Sequence, residues 1–259
     1  MSGIEMNIVA VATRILPLLD LTSLNDADDA ASTAALCAKA TTPIGNVAAV
    51  CLWPSFISKA KQLLSGTDVK VATVVNFPGG SLPAEKVVDQ IAHALADGAD
   101  EIDVVMPYAA IMAGMGGDQR ATDHLLACRK ACGTATMKVI LESGALAKPA
   151  LVERASKVAV AAGADFLKTS TGKIPAGATL GAARIMLTAC RDAPRPVGFK
   201  ASGGIRDVEM AAHYLAVAEE ICGPGWVSPA TFRFGASGLL DALLGVLGQG
   251  AATPVTTGY

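Results

Sequence analysis

Short apolar runs alternate with amphipathic segments along most of this chain. Several runs are continuously apolar, which is typical of strands in a parallel sheet whose outer face is covered by helices. Helical patterns lie between most of them. The eight runs lie near residues 15–21, 46–53, 70–77, 101–106, 137–142, 165–170, 196–201 and 231–236.

The same joint between a helix and a strand occurs twice. Residues 96–100 (ADGAD) lead into EIDVV, and residues 161–165 (AAGAD) lead into FLKTS. In both, a glycine that can adopt a left-handed conformation would end a helix, and Ala-Asp would lead into a strand. Eight strands that alternate with helices favour a closed barrel over a doubly wound sheet. The sequence therefore predicts an α/β fold, a single-domain (β/α)8 TIM barrel.

The predicted barrel fills almost the whole chain. No linker divides it, so we expect one domain over residues 1–248, which starts with a short helical extension. Residues 249–259 are mostly small and polar, which predicts a flexible C-terminal tail.

Composition limits the classes of function that fit. Hydrophobic residues make up 52% of the chain and aromatic residues only 4%, so the core must be aliphatic. A net charge of −2 without any Lys/Arg cluster argues against nucleic-acid binding. No apolar stretch is long enough to span a membrane, and the first 20 residues lack a secretory signal pattern. We expect a cytoplasmic protein with neither a nucleic-acid nor a membrane partner.

The cysteines do not indicate a metal site. Cys128 and Cys132 lie four residues apart in a predicted helix, but no histidine cluster accompanies them, so buried reduced thiols are the better interpretation. Three glycines near residue 115 do not follow a strand with the spacing of a dinucleotide site. The cysteines are Cys37, Cys51, Cys128, Cys132, Cys190 and Cys222.

Charged residues interrupt four of the apolar runs. Lysines stand at 138 in MKVILES, at 168 in DFLKTSTG and at 200 in VGFKASGG, and Asp103 stands in EIDVV. Asp20 lies near the end of the first run. In a barrel, such positions near strand ends face the active-site mouth. Ammonium groups are seldom buried without a partner, because desolvation penalises the charged form.

Clustered cations suggest a specific chemistry. Cations that converge on one small volume lower each other's pKa, which leaves one amine neutral enough to attack a carbonyl. A carboxylate between two lysines can carry protons, so the set suits carbonyl activation followed by carbon–carbon cleavage. The residues alone do not say which lysine is the nucleophile. The structural alternative is a set of buried ion pairs that tie strands together.

Glycine-rich segments follow the last three predicted strands. Loops at this end of a barrel commonly bind phosphate through backbone N–H groups that glycine leaves accessible. Lysine and arginine in the same segments would add positive charge. The candidate phosphate-binding residues are Thr171, Gly172, Lys173, Gly203, Gly204, Arg206, Gly235 and Ser237.

Eight segments in order form a specific pattern: LLDLTSLN, TPIGNVAAVCLWP, VATVVNFPGG, GADEIDVVMPY, MKVILESG, GADFLKTSTGK, VGFKASGGIR and RFGAS. Through them the chain resembles the deoxyribose-phosphate aldolases, class I aldolases with a (β/α)8 barrel. The resemblance covers nearly the whole chain. It implies reversible cleavage of 2-deoxy-D-ribose 5-phosphate into D-glyceraldehyde 3-phosphate and acetaldehyde through a lysine Schiff base, in deoxyribose phosphate catabolism. It implies neither a metal nor an organic cofactor, and it is compatible with a homodimer.

The resemblance also implies a role for each buried charge. Lys168 would be the Schiff-base lysine, Lys200 the neighbour that lowers its pKa, and Asp103 the proton-transfer carboxylate. The chain ends in Tyr259, as longer family members end in a tyrosine that assists proton transfer; an ordinary disordered terminus is the alternative. Three further positions match residues that line the pocket in the family: Lys138, Asp20 and Cys51.

One position departs from the family pattern. Some members have two serines after the Gly-Ala of the last strand, whereas here Ser237 is followed by Gly238. One hydroxyl donor to phosphate is then missing, although the backbone N–H of Gly238 could serve.

Two other functions fit the residues. One is a different phosphosugar barrel, either another Schiff-base aldolase or an isomerase with Asp103 as its base. The other is a non-catalytic barrel that binds phosphorylated metabolites. A covalent adduct on a lysine separates a Schiff-base aldolase from the isomerase and from the non-catalytic barrel, because only a Schiff-base enzyme forms one.

Overall fold

The apolar runs form parallel strands that close into a barrel. The computed structural model describes residues 7–248. Its strands are β1 (Leu19–Thr22), β2 (Thr41–Thr42), β3 (Gly45–Asn46), β4 (Ala49–Leu52), β5 (Lys70–Val75), β6 (Glu101–Val105), β7 (Thr136–Ile140), β8 (Phe166–Lys168), β9 (Gly198–Ser202) and β10 (Phe232–Ala236). The barrel order is β1-β10-β9-β8-β7-β6-β5-β4, and β2 and β3 form a separate antiparallel pair.

Helices connect the strands and cover the outside of the barrel. They are α1 (Ile8–Ile15), α2 (Ala30–Ala40), α3 (Ile57–Leu63), α4 (Ala84–Ala96), α5 (Tyr108–Ala113), α6 (Gly117–Cys132), α7 (Ser143–Leu146), α8 (Pro149–Ala161), α9 (Leu180–Arg191), α10 (Val208–Cys222) and α11 (Leu239–Val246). The predicted (β/α)8 barrel and its N-terminal helix are thereby confirmed. The predicted tail, residues 249–259, lies outside the described residues.

Each of the eight runs contains one barrel strand, but the first run differs from its prediction. There, α1 continues to Ile15, and Leu16–Leu18 form a 3-10 turn with Pro17 near its start. Proline lacks the N–H group that a strand ladder needs, which accounts for the late start of β1 at Leu19.

The repeated helix-to-strand joint performs the same task in both copies. Its glycines have left-handed φ angles of +99° and +88°. The aspartate that follows each glycine ties the new strand to its neighbour: Asp100 Oδ2 accepts from Val71 N at 2.8 Å, and Asp165 Oδ2 accepts from Met137 N at 2.8 Å. The repeated sequence therefore forms the same helix-to-strand connection at two places around the barrel.

An aliphatic core fills the space between the barrel and its helices. All six cysteines are free thiols, five of them buried, as predicted. Among residues 7–248, no helix combines the length and the apolarity needed to cross a bilayer. Most of the buried charged side chains lie inside the barrel, where they converge.

Candidate active site

Seven charged side chains meet inside the barrel and form what we call the buried network. All are at most 6% exposed. Burial of so many charges is costly, and an aliphatic barrel of the same volume would not need them for stability. The network residues are Lys138, Lys168, Lys200, Arg233, Asp20, Glu101 and Asp103.

Strand register brings the central members together. Lys168 of β8 lies directly opposite Lys200 of β9, and Asp103 of β6 lies opposite Lys138 of β7. Because the side chains of residues aligned in register on parallel strands extend to the same side of the sheet, each pair lies within the barrel at one level.

Asp103 is the centre of the buried network. Its Oδ2 accepts from Lys168 Nζ at 2.7 Å and from Lys200 Nζ at 2.8 Å, and its Oδ1 accepts from Lys138 Nζ at 3.1 Å. Burial raises the pKa of Asp103, but the three lysines outweigh burial and hold that pKa well below its usual range. The group is therefore a carboxylate at neutral pH.

Lys200 is held in its charged form. Its Nζ lies 2.6 Å from Asp20 Oδ2 as well as in contact with Asp103. Burial disfavours the ammonium form, but these two carboxylates outweigh burial and raise the pKa of Lys200. Asp20 in turn has a lowered pKa, since the surrounding cations outweigh the effect of its burial.

Lys138 and Arg233 each pair with more than one carboxylate. Lys138 forms ion pairs with Glu101, Asp103 and Asp20, and the pKa of Lys138 is raised because these carboxylates outweigh its burial. Arg233 Nη1 lies 2.6 Å from Asp20 Oδ1, and Arg233 Nη2 lies 3.1 Å from Glu101 Oε1. Both the Lys138 ammonium and the Arg233 guanidinium are thus fixed as cations.

Lys168 differs from the other cations of the network. Asp103 is the one carboxylate with which Lys168 forms an ion pair in the described part of the chain. Burial lowers the pKa of Lys168, the charge of Lys200 lowers it further, and Asp103 does not fully oppose them. The network holds four cationic groups against three carboxylates, so neutral Lys168 brings it to charge balance. Lys168 is the amine that deprotonates first.

A cavity of about 340 Å³ opens at the carboxyl ends of β1, β8, β9 and β10. Of the seven network residues, all within residues 7–248, Lys168 alone lines this cavity. The amine with the lowered pKa is therefore also the one in reach of a bound molecule, with the rest of the network behind it.

The cavity wall contains every residue predicted to bind phosphate. Gly172, Gly203 and Gly204 have φ angles of +78°, +90° and +89°, a left-handed conformation that suits glycine. Beside them, Gly238 caps the N-terminus of α11, where backbone N–H groups favour an anion. Such a wall, with a lysine and an arginine in it, suits a phosphate group.

Lys173 is held over the mouth of the cavity by residues that the sequence did not indicate. Its Nζ lies 5.6 Å from the centre of the Trp53 ring and 3.5 Å from Asp26 Oδ1. Trp53 Nε1 donates to Asn25 O at 2.9 Å, which fixes the indole. A cation over an aromatic face is attracted to it, so Trp53 orients Lys173.

Cys51 does not line the cavity, although its family position predicts this. Its thiol is fully buried 4.0 Å from Asp103 Oδ2, and burial raises the pKa of Cys51. Lys138 and Asp20, predicted as lining residues too, belong to the network behind Lys168. Cys51 packs in a small apolar cluster with Leu24, Ala49, Ala72 and Val74.

Sequence reasoning missed two network members and one buried carboxylate at the site. Glu101 shares a strand face with Asp103, and Arg233 stands between two phenylalanines of β10, so a polar residue within an apolar strand was the available signal. Glu142 ends the run MKVILE and contacts Thr171. Tyr259 lies outside the described residues.

Cavity volume alone does not identify the site. A larger cavity, about 810 Å³, lies between α8 and α9 on the outer face and contains no network residue. Over residues 7–248, the His, Cys, Asp and Glu side chains form no group of three that could hold a metal ion.

Comparison with known proteins agrees with this geometry. Residues 14–244 match the model of the DeoC/LacD family of aldolases. A protein of Agrobacterium fabrum (strain C58) named deoxyribose-phosphate aldolase is 50% identical over 252 residues, which cover 96% of each chain.

Solved structures share the fold. An apo protein from Toxoplasma gondii ME49, provisionally named a deoxyribose-phosphate aldolase, superposes with a TM-score of 0.86 at 27% identity over 93% of this chain and 98% of that one. A tetrameric deoxyribose phosphate aldolase from Aeropyrum pernix, at 24% identity, has a TM-score of 0.73 over 92% and 96% of the two chains and shares the barrel fold. With its family model, its sequence relative and its barrel in agreement, the chain belongs to the DeoC/LacD family of aldolases.

Proposed function

We propose that this enzyme cleaves 2-deoxy-D-ribose 5-phosphate reversibly into D-glyceraldehyde 3-phosphate and acetaldehyde, with Lys168 as the Schiff-base nucleophile. One observation carries the proposal: Lys168 has a lowered pKa and lines a cavity whose wall is rich in phosphate-binding features. The 50% identical relative from Agrobacterium fabrum carries the name of this activity. The reaction would serve deoxyribose phosphate catabolism.

The reaction starts with attack of the neutral Lys168 amine on the C1 aldehyde of the open-chain sugar. The carbinolamine then loses its hydroxyl as water and becomes an iminium. Asp103 Oδ2 lies 2.7 Å from the reacting nitrogen, so this carboxylate can pass the proton that the nitrogen releases to the former carbonyl oxygen. A second proton, taken up from solvent, lets that oxygen depart as water.

The iminium accepts the electrons of the carbon–carbon bond. Removal of the proton of the C3 hydroxyl forms the aldehyde of D-glyceraldehyde 3-phosphate, and the C2–C3 bond breaks. Its electron pair forms the C1–C2 double bond of an enamine and neutralises the nitrogen. Protonation at C2 and hydrolysis release acetaldehyde and free Lys168. We propose Asp103 as the proton carrier of this sequence, and Tyr259 remains a predicted participant at the enamine carbon.

Lys200 prepares the nucleophile. Its ammonium remains charged because it also pairs with Asp20, so it disfavours a second positive charge on Lys168. Lys138 contacts Asp103 Oδ1 from the other side and helps to keep Asp103 a carboxylate by lowering its pKa. Neither of these two lysines lines the cavity, in keeping with a supporting role.

The phosphate of the substrate would lie against the loops after β8, β9 and β10. Glycine N–H groups there and the charges of Lys173 and Arg206 are available to it. Gly235 and Ser237 complete the wall. With the phosphate bound at this end, the aldehyde end of an open-chain pentose would be directed toward Lys168.

Trapping with borohydride tests the proposal. The protein is incubated with deoxyribose 5-phosphate and sodium borohydride, and the reduced adduct is mapped by mass spectrometry. We expect the adduct on Lys168, none on Lys173, and none in a Lys168→Met variant. An adduct on Lys200 or Lys138 with Lys168 free would overturn the assignment. Absence of any adduct would favour the isomerase or the non-catalytic phosphate-binding barrel.

A homodimer and a cytoplasmic location remain predictions from the sequence. Light scattering of the purified protein measures its mass in solution, and a mass of one chain would overturn the dimer. The single-domain boundary at residue 248 also remains a proposal, to be tested by limited proteolysis of the full chain.

A further inference from the structure

Glu142 is a buried carboxylate that the proposed mechanism does not use. It follows β7 and is 1% exposed. Its backbone has φ +55° and ψ +57°, the left-handed region that residues other than glycine and asparagine seldom adopt. Strained conformations of this kind persist where the surrounding structure enforces them, and they occur often at functional sites.

The carboxylate is directed at the loop after β8. Thr171 Oγ1 donates to Glu142 Oε2 at 2.5 Å, and Thr171 N lies 3.4 Å from both carboxylate oxygens. The same hydroxyl accepts from Lys173 N at 3.1 Å. A threonine hydroxyl has one proton to donate, so its orientation is determined when that proton is given to Glu142.

This chain of hydrogen bonds spans the segment that carries the predicted phosphate ligands. Gly172 lies between the two bonded residues with φ +78°, and nothing lies within 4 Å of the position of a Cβ there. The backbone at this glycine would otherwise be free to rotate. Because Thr171 N and Lys173 N both take part in this chain, Glu142, through Thr171, fixes the backbone on either side of Gly172 and with it the direction of the Gly172 N–H group.

Glu142 itself does not line the cavity, whereas Thr171, Gly172 and Lys173 do. Glu142 therefore has no direct contact with a phosphate in this cavity, and its hydrogen bonds to the cavity wall run to Thr171. Direct contact would also be unfavourable, because a carboxylate repels a phosphate.

We propose that Glu142 is a positioning residue for phosphate recognition: it holds the Thr171 hydroxyl and so orients residues 171–173 toward the phosphate. Glu142 thereby contributes to the preference of the enzyme for a phosphorylated sugar over the same sugar without phosphate. This inference rests on the proposed function, because it presupposes a phosphorylated substrate in the cavity.

The test compares kcat/KM for deoxyribose 5-phosphate with kcat/KM for deoxyribose in each variant. The ratio of the two does not depend on the fraction of folded protein. Glu142→Gly suits the left-handed backbone and should fold, yet it removes the carboxylate; we expect its ratio to fall by about tenfold or more. Glu142→Gln retains an oxygen that accepts from Thr171, and its ratio should stay within about threefold of the wild type.

A double substitution tests whether Glu142 acts through Thr171. Thr171→Val removes the hydroxyl and should lower the ratio by itself. If the inference is correct, adding Glu142→Gly to Thr171→Val causes little further change in the ratio. Additive losses, an unchanged ratio in Glu142→Gly, or an equal loss in Glu142→Gln would each overturn it. Wild-type enzyme that prefers unphosphorylated deoxyribose would instead contradict the proposed function.

Discussion

Lys168 and Lys200 donate to the same oxygen atom, Oδ2 of Asp103, from directly opposite positions on neighbouring strands. Two ammonium groups on one oxygen repel each other strongly in a water-free interior. Lys200 has a second carboxylate partner, Asp20, whereas within residues 7–248 Lys168 pairs with Asp103 alone. The repulsion is relieved by loss of the proton of Lys168, which fits the role of nucleophile that we propose for this residue.

Lys200→Met should raise the pKa of Lys168, because it removes the nearest positive charge while Asp103 remains. Attack requires the neutral amine, so kcat/KM rises with pH through that pKa. We expect this rising limb of the pH profile to move to higher pH by about one unit or more. The profile of kcat/KM between pH 5 and 10 measures the shift.

Lys138→Met is the matched control for this experiment. It removes another buried lysine, but one that contacts Asp103 through Oδ1 and not through the oxygen shared with Lys168. The rising limb of the pH profile of Lys138→Met should move less than that of Lys200→Met. Equal shifts in the two variants would mean that the pKa of Lys168 depends more on the total buried charge than on the shared oxygen.

The same pair of lysines should respond in opposite ways when stability is measured. The pKa of Lys168 in the folded protein is below its value of about 10.4 in the unfolded chain, so protonation of this amine favours the unfolded state. Lys168→Met removes this effect and should leave the free energy of unfolding unchanged or increase it. The pKa of Lys200 is raised, so its charge favours folding below that unfolded pKa. Lys200→Met leaves Asp20 and Asp103 short of a partner and should cost about 3 kcal/mol.

Denaturant unfolding at pH 7 measures both free energies. Two variants with the same chemical change and similar burial serve as controls for one another. A loss in Lys168→Met as large as in Lys200→Met would indicate that Lys168 is a structural cation, which is the alternative reading of the buried charges.

Much of the barrel could be predicted because each strand is a short apolar run and each charged interruption stands out against it. Lys168 could be predicted because it is a charge within an apolar run, and the phosphate-binding loops could be predicted because glycines follow the last three strands. Trp53 and Glu142 could not, because their partners, Lys173 and Thr171, are distant in sequence and meet them only when the barrel closes. Which lysine faces the cavity is likewise a property of the closed barrel, and no local pattern encodes it.

Gly235 is required for a structural reason that the sequence did not indicate. It was predicted as a phosphate ligand, and it lines the cavity. A Cβ at this position would also lie 3.0 Å from Lys200 Cε and 2.9 Å from Ser202 Cβ. Its φ angle is not in the left-handed region, so glycine is required here for space.

Gly235→Ala should therefore displace Lys200 from Asp103. We expect kcat with deoxyribose 5-phosphate to fall by about tenfold and the rising limb of the pH profile to move to higher pH, as in Lys200→Met. Steady-state kinetics across pH measures both. If KM for the phosphorylated sugar rose while the limb stayed in place, the role of Gly235 would be confined to phosphate binding.

Gly238→Ser should strengthen binding of the phosphorylated substrate. Gly238 lines the cavity at the start of α11 with φ −92° and ψ −11°, a conformation that serine adopts without strain. Nothing lies within 4 Å of the position of its Cβ, so the new side chain has room. Its hydroxyl would lie beside that of Ser237 and restore the second donor found in some family members.

A hydroxyl donor to a charged phosphate should lower KM for deoxyribose 5-phosphate by about threefold to tenfold, and KM for unphosphorylated deoxyribose should not change. Gly238→Ala is the control, because it adds the Cβ and its conformational restriction without the hydroxyl. Equal changes in the serine and alanine variants would assign the effect to the backbone. A raised KM in Gly238→Ser alone would mean that the phosphate approaches residue 238 too closely for a side chain, and that the backbone N–H of Gly238 is itself the donor.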